Sequence, residues 1–382
     1  MASTVSSSRA HLLQKKDVDV VITFAKRTAM GRAKKGQLKD VPVDELLHAL
    51  FKATLEKTRL NPSEIGDICV GTCHPPSPLY VSRAAALAAG ILDSVPIPTV
   101  NWLCSSGLMA IRNIAHSIQA GEISLGVAVG VESMSLNPRP TPVVSDVVGA
   151  NAQARDCIQP MGWTSEMVSQ TYNISRQKQD EYTLISHTRA TSRALADVSV
   201  DDTVRPNVSA QGLAALKPSF PEWGDASTTA GNASGVGDGA ALCILTTRAR
   251  AEAGGFDILA KFVGTAIVGV ESRHMGIAPT HSIPKVLNHI GLNYEDIDVY
   301  EINEAFASQF AHCVEQLKIP IDKINPNGGS IALTHPLGMT GVRQVVTGLE
   351  ELRRRDGELL CSSMCVGSGL GAAGIFVNER QG

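Results

Sequence analysis

Thr99-Val100-Asn101-Trp102-Leu103-Cys104-Ser105-Ser106-Gly107-Leu108 reads as a short strand, Thr99–Trp102, that turns into a helix at or just after Cys104. Leu108, Ile111, Ile114, Ala115 and Ile118 follow at helical spacing, so the helix buries one face. A strand feeding straight into a helix is the repeating unit of an α/β fold. The same alternation surrounds it. Asp19–Phe24, Ile65–Gly71, Gly126–Val131 and Ala240–Thr246 read as strands, Val43–Thr58 and Val81–Leu92 as helices. A second series follows: Phe256–Val270, a helix near Ile283–Ile290, strand Asp298–Ile302, helix Ala305–Leu317, a helix after His335, and a closing hairpin of Glu358–Val366 with Gly374–Asn378. This alternation predicts a mainly parallel sheet covered on both faces. Gly107-Leu108-Met109-Ala110-Ile111-Arg112 is echoed by Gly338-Met339-Thr340-Gly341-Val342-Arg343, which points to an internal duplication with reactive groups at its centre.

The expected division is a flexible or targeting segment 1–16, an N-terminal half 17–137 completed by 225–255, an inserted loop or cap domain 138–224, and a C-terminal half 256–382. The insert is more polar and holds helical stretches at Thr164–Tyr172 and Arg176–Ala194. The chain has 382 residues, 43% hydrophobic, with 34 glycines and a net charge of −3. That charge argues against a nucleic-acid partner, and no apolar run approaches the ~20 residues of a bilayer span. Eight scattered cysteines fit reduced thiols rather than a disulfide framework. Two CxxxC spacings, Cys69/Cys73 and Cys361/Cys365, sit in strand-like flanks, and no metal site is expected. Met1–Lys16 is basic, hydroxyl-rich and free of acid, which fits either a frayed terminus or an organelle address.

Three motifs carry the chemistry: Cys104-Ser105-Ser106-Gly107-Leu108, Gly328-Gly329-Ser330-Ile331-Ala332-Leu333-Thr334-His335-Pro336, and Cys365-Val366-Gly367-Ser368-Gly369. A free thiol titrates near ~8.5, so a nucleophilic cysteine needs a base or a helix N-terminus. Backbone N–H groups of Ser105 to Leu108 are expected under the Cys104 sulfur, and His335 is the expected base. Taken alone, each of the three residues would read as an ordinary core or loop residue. Asn303-Glu304-Ala305-Phe306 stands where a strand meets a helix and points a polar group into the cleft or merely caps it. Gly369-Leu370-Gly371-Ala372-Ala373-Gly374 matches GxGxxG, but a strand rather than a helix follows, so a dinucleotide site is a poor fit.

These motifs together resemble those of the thiolases: CSSGL, NEAFA, the histidine of IALxHPLG and the cysteine of CVGSGLGAA, in family order from about Val20 onward. Met161-Gly162-Trp163-Thr164-Ser165-Glu166 and Thr229-Ala230-Gly231-Asn232-Ala233-Ser234-Gly235 match as well. The resemblance implies a five-layer α-β-α-β-α fold and thiolysis of a 3-ketoacyl-CoA by CoA, or the reverse condensation. It implies Cys104 as nucleophile, His335 as its base, Cys365 as the second acid and base, and Asn303 with a water at the enolate oxygen. The N–H groups of Cys104 and Gly367 would hold the tetrahedral oxyanion. CoA, as substrate rather than cofactor, would lie against Met161, Lys217 and Ser234. A homodimer or homotetramer is expected, in the peroxisome by likeness to degradative thiolases, with mitochondrion or cytoplasm as alternatives. The chain departs from the pattern at Trp102-Leu103, at Met109, at Thr334 where glycine is usual, and in a shortened stretch between Ala194 and Pro206. His11-Leu12 resembles the end of a peroxisomal signal whose first arginine is Thr4 here. The departures leave open an acetoacetyl-CoA-forming enzyme or a weakly catalytic acyl-CoA binding protein.

Overall fold

The alternating strand and helix periods resolve into ten strands in a computed structural model, which describes residues 9–194 and 201–380. They are β1 (Val20–Arg27), β2 (Gly31–Arg32), β3 (Asp67–Gly71), β4 (Thr99–Val100), β5 (Leu125–Ser133), β6 (Gly237–Thr247), β7 (Ala260–Gly269), β8 (Val299–Ile302), β9 (Leu359–Val366) and β10 (Leu370–Asn378). Nine of them follow one path, β4-β3-β5-β6-β1-β7-β10-β9-β8, with β2 pairing β6 at the side. Outward from the β1/β7 seam the two halves match: β1-β6-β5-β3-β4 on one side and β7-β10-β9-β8 on the other. A lone parallel bridge of Ile324 to Tyr300 stands where β4 stands in the first half.

The sheet is mixed, not mainly parallel. Only β3/β4, β3/β5 and β8/β9 run parallel; the other five pairs along the path are antiparallel. The last strand of each half slips between the first strand and the crossover-connected ones, and it runs backwards. For β10 the cause is local, because the tight turn Gly367-Ser368-Gly369 returns the chain beside β9. For β6 the whole insert intervenes.

Side-chain alternation on the strands makes the layers. Ala128, Cys243 and Leu245 on one sheet face, with Phe262, Met364 and Phe376 from the other half, enclose Leu108, Ile111, Val342 and Val345. Those four belong to two helices, Ser106–Gln119 and Leu337–Arg355, which form the middle layer. The opposite faces carry Val127, Val129 and Leu242 against helix Val43–Thr58, and Tyr300, Cys361 and Ile375 against helices Pro279–Ile290 and Ala307–Leu317. Five layers result, as expected.

The insert carries helices Met161–Thr171 and Arg176–Ala194. It is bonded to the body through polar side chains: Ser165 to Thr228 and Ser308, both 2.7 Å, and the Glu166 carboxylate to the N–H groups of Ser227 and Thr228. Of the shortened stretch, residues 195–200 lie outside the described residues. Beyond them Asp201 pairs with Arg27 at 2.8 Å, and Asp202 accepts the N–H groups of Arg32 and Gln37. Met1–Ser8, with Thr4, also lie outside. From Arg9 the terminal segment is docked rather than frayed: Arg9 bridges Asp298 and Glu358, and Leu12 and Leu13 pack on the C-terminal half. No described helix is long and apolar enough to cross a membrane.

Candidate active site

Cys104 lies in a single 3-10 turn, Leu103–Ser105, directly before helix Ser106–Gln119. The turn is held in a costly shape: Leu103 has φ 45°, a left-handed conformation that costs a non-glycine residue about 1–2 kcal/mol. Ser106 and Cys73 hold it there. The Ser106 hydroxyl donates to the Leu103 carbonyl at 2.7 Å and accepts from the Trp102 N–H at 2.9 Å, while the Cys73 thiol donates to the same carbonyl at 3.0 Å.

Glycines bring the second motif against the first. A Cβ on Gly107 would stand 2.6 Å from the Gly338 carbonyl oxygen and 2.9 Å from the Val342 nitrogen, and one on Gly341 would strike the backbone of Leu108. The N-terminal turns of the two middle helices therefore touch backbone to backbone. Glu132, buried at the end of β5, ties the junction: its carboxylate accepts the N–H groups of Cys73, His74 and Gly338 at 3.0–3.1 Å. His335 enters just ahead of helix Leu337–Arg355. Its backbone N–H donates to the Gly235 carbonyl at 2.8 Å. Its ring touches Asn303 Nδ2 through Nε2 (3.2 Å) and Thr340 Oγ1 through Nδ1 (2.6 Å).

Glu304, beside Asn303, is no simple cap. It is fully enclosed, takes Ser186, Asn325 and the Ile331 N–H, and so fixes the loop that leads to His335. Cys365 is the penultimate residue of β9, 0% exposed, packed with Met275, Ala278 and Ala305 and flanked by Met161 and Phe306. Gly367 follows in the hairpin turn, with Leu103 and Met161 at the place its Cβ would fill. The Cys104 turn packs on both β9 and helix Leu337–Arg355, so the three motifs share one buried junction.

Electrostatics favours neutral groups there. Burial pushes the Cys104 thiol up to about 11, against the pull of the Gly367 and Cys104 N–H groups and then of the Arg139 charge. The donors at the sulfur are therefore Gly367, from the other half, and Cys104 itself, not the run Ser105 to Leu108, and they do not make a resting thiolate. Burial lowers His335 to about 3, with the Arg343 charge adding to it. Burial also raises Cys365 far above the ordinary thiol range, and Cys104 raises it further, since two adjacent sulfurs resist double ionisation. A neutral thiol, a neutral imidazole, a second neutral thiol and two inward N–H groups can accept an acyl group on sulfur while moving single protons.

Cys104, His335, Asn303, Cys365, Gly367 and Met161 thus lie together. Ser234 is close by, half-buried, its N–H on the Ala305 carbonyl at 3.0 Å. Lys217 is exposed on the cap before the Pro218–Thr229 bridge, in solvent rather than among the buried groups. Trp102 packs against the middle layer, and Met109 is buried within it. Glu132, Ser330, Thr340 and Arg343 were not singled out from sequence as site residues. Only Glu132 carries a signal, an acid that ends an apolar strand. No cluster of three or more potential metal ligands occurs among the described residues.

Family models and known proteins match nearly the whole chain. Residues 20–249 match the family description "Thiolase, N-terminal domain" and residues 256–378 "Thiolase, C-terminal domain". The chain is 46% identical over 385 residues to 3-ketoacyl-CoA thiolase A, peroxisomal, of Mus musculus (94% of this chain, 90% of that protein). It is 44% identical over 386 residues to the peroxisomal 3-ketoacyl-CoA thiolase of Homo sapiens (94% and 90%). Among solved structures, the dimeric peroxisomal thiolase of Saccharomyces cerevisiae superposes with a TM-score of 0.91 at 39% identity, covering 97% of this chain and 100% of that one. Human mitochondrial 3-ketoacyl-CoA thiolase in complex with CoA gives 0.85 at 33% identity, covering 96% and 100%. The chain belongs to the thiolase family.

Proposed function

We propose that this chain cleaves 3-ketoacyl-CoA with CoA, releasing acetyl-CoA and an acyl-CoA shortened by two carbons. Cys104 attacks the 3-keto carbon and its proton passes to His335. The tetrahedral oxyanion is held by the N–H groups of Cys104 and Gly367, and such donors are worth roughly 3 kcal/mol of barrier each. The bond between Cα and Cβ then breaks. The acetyl-CoA enolate, stabilised by His335 and by Asn303 through a water, takes its proton from Cys365. Cys365 next deprotonates incoming CoA, whose thiolate lifts the acyl group from Cys104, and the freed Cys104 sulfur takes its proton back from His335. CoA lies along the cap by Met161 and Ser234, with Lys217 free to meet a phosphate.

The observation that carries this reading is the Gly367 N–H aimed across the halves at the Cys104 sulfur. The relatives' names support the degradative direction. Brief incubation with a medium-chain 3-ketoacyl-CoA, followed by mass spectrometry, should find the acyl group on Cys104. Cys104→Ala should lower turnover at least ~10³-fold, the scale of a deleted nucleophile. An unmodified Cys104, or equal rates in both proteins, would remove the reading. Thr334, strained beside His335, favours a second reading as a slow acyl-CoA binder, and the same two rates decide it. Activity confined to acetoacetyl-CoA would favour the condensing direction.

The division into 17–137 with 225–255, 138–224 and 256–382 belongs to the same proposal, as does a peroxisomal address, by likeness to the relatives. So does a homodimer. Among the described residues the outer edge of β4 is unpaired, and Leu79 and Tyr80 on the neighbouring helix are 50% and 77% exposed. Sedimentation should give twice the chain mass; a monomer would refute it.

A further inference from the structure

Arg343 lies 1% exposed in the middle layer, on the side of the site away from Cys104's own half, and its guanidinium reaches Glu301 at 2.8 Å and Ser330 Oγ at 3.3 Å. From Ser330 a line of hydrogen bonds runs inward. Ser330 Oγ donates to Asn303 Oδ1 at 2.6 Å, and Asn303 Nδ2 meets His335 Nε2 at 3.2 Å. His335 Nδ1 meets Thr340 Oγ1 at 2.6 Å, and Thr340 Oγ1 donates to the Pro336 carbonyl at 2.8 Å.

The two ends fix every proton between them. A guanidinium has donors only, so Ser330 accepts from Arg343 and spends its one proton on Asn303 Oδ1. The amide must then present Nδ2, a donor, to His335 Nε2. At the far end a carbonyl can only accept, so Thr340 gives its proton to Pro336 and takes the one on His335 Nδ1. The imidazole is thereby held neutral, protonated at Nδ1, with its Nε2 lone pair on the side of Asn303. Such placements are inferred from the network, and here the network leaves one consistent assignment.

We propose that Arg343, Ser330 and Thr340 are positioning residues: a one-way line of donors from Arg343 to the Pro336 carbonyl that sets the face of the Asn303 amide and the tautomer of His335. The proposal rests on the reading of His335 as the base that receives the Cys104 proton, because only an unprotonated Nε2, once it gives up the Asn303 hydrogen bond, can do so. Burial of the whole line matters. Ser330, Asn303, Thr340 and His335 are all 5% exposed or less, so bulk water does not supply alternative partners. Arg343 is itself kept in place by Glu301, which explains why a cation is tolerated there at all.

The test uses the full-length enzyme and two variants, Ser330→Ala and Thr340→Val, with ¹⁵N-histidine labelling and steady-state kinetics. In the wild type His335 should show a protonated Nδ1 and an unprotonated Nε2. Ser330→Ala leaves the Arg343–Glu301 pair intact but frees the Asn303 amide to turn over. It should lower kcat about tenfold or more with KM for CoA unchanged, the scale of losing a group that orients an active side chain. Thr340→Val removes the acceptor of the Nδ1 proton and should shift His335 toward the other tautomer. If Ser330→Ala does not fold, Thr340→Val still decides the matter through the nitrogen spectrum. A wild-type His335 protonated at Nε2, or both variants retaining kcat and the wild-type spectrum, would overturn the proposal. Neither result depends on acylation of Cys104. An enzyme with the proposed tautomer but no acyl adduct would sink the thiolysis reading and leave the relay standing.

Discussion

Thr334 has φ 72° and ψ 171°, its hydroxyl is buried without a partner, and its side chain lies against Gly235 and Gly237. A β-branched residue in that region of backbone space stores about 1–3 kcal/mol, more than glycine's extra chain entropy of about 0.5–1 kcal/mol. Thr334→Gly should therefore raise stability by about 1 kcal/mol in thermal unfolding; a lower melting temperature would show that its contacts outweigh the strain. His335 gives a second expectation at this scale. Burial, with Arg343 behind it, holds the ring neutral down to about 3, so its ionisation cannot produce an acid limb near the usual imidazole value of 6.5. A pH profile of kcat/KM should stay flat from about pH 8 to below 6, where a normal histidine would already have halved the rate. The sequence marked Cys104, His335, Cys365 and Asn303 because glycines and a strand-to-helix turn announce them. It was silent on Arg343 and Ser330 because a buried cation and a buried hydroxyl look like surface residues until their partners, Glu301 and Asn303, are folded beside them.

At the level of elements, the contact between helices Ser106–Gln119 and Leu337–Arg355 decides whether base and nucleophile meet. Gly107→Ala would push a methyl into the Gly338 carbonyl and the Val342 nitrogen, both backbone, which cannot swing away. Overpacking of this kind costs about 1–3 kcal/mol, and the helices must slide to relieve it. The expected result is a destabilised but folded enzyme with a sharply lower kcat, read from denaturant unfolding and thiolysis together; wild-type kcat would show the contact to be dispensable. Helical spacing and the echo of the two motifs made both helices legible. The direction of β10 was legible too, as a hairpin with β9, but that of β6 was not, because the whole insert separates it from β5 and its pairing is long-range, which a local period of two cannot encode. The docking of Arg9 onto Asp298 and Glu358 was hidden for the same reason.

The molecule as a whole carries several histidines that folding keeps uncharged. Burial lowers His335 to about 3 and His187 to about 4, the second helped by Arg205. Each holds fewer protons folded than unfolded between those values and about 6.5, so stability is greatest above that window and falls as pH drops through it. Melting temperatures should decline steadily from about pH 7 to 5, and His187→Gln should flatten part of that slope; an unchanged slope would refute the assignment. β10 sits inside its half of the sheet, between β7 and β9. Before β10 pairs, β7 has an open flank and the turn that carries Gly367 is not closed over Cys104. A polypeptide caught at that stage is chemically idle and adhesive, so the pairing of β10 is the event that turns it into a catalyst.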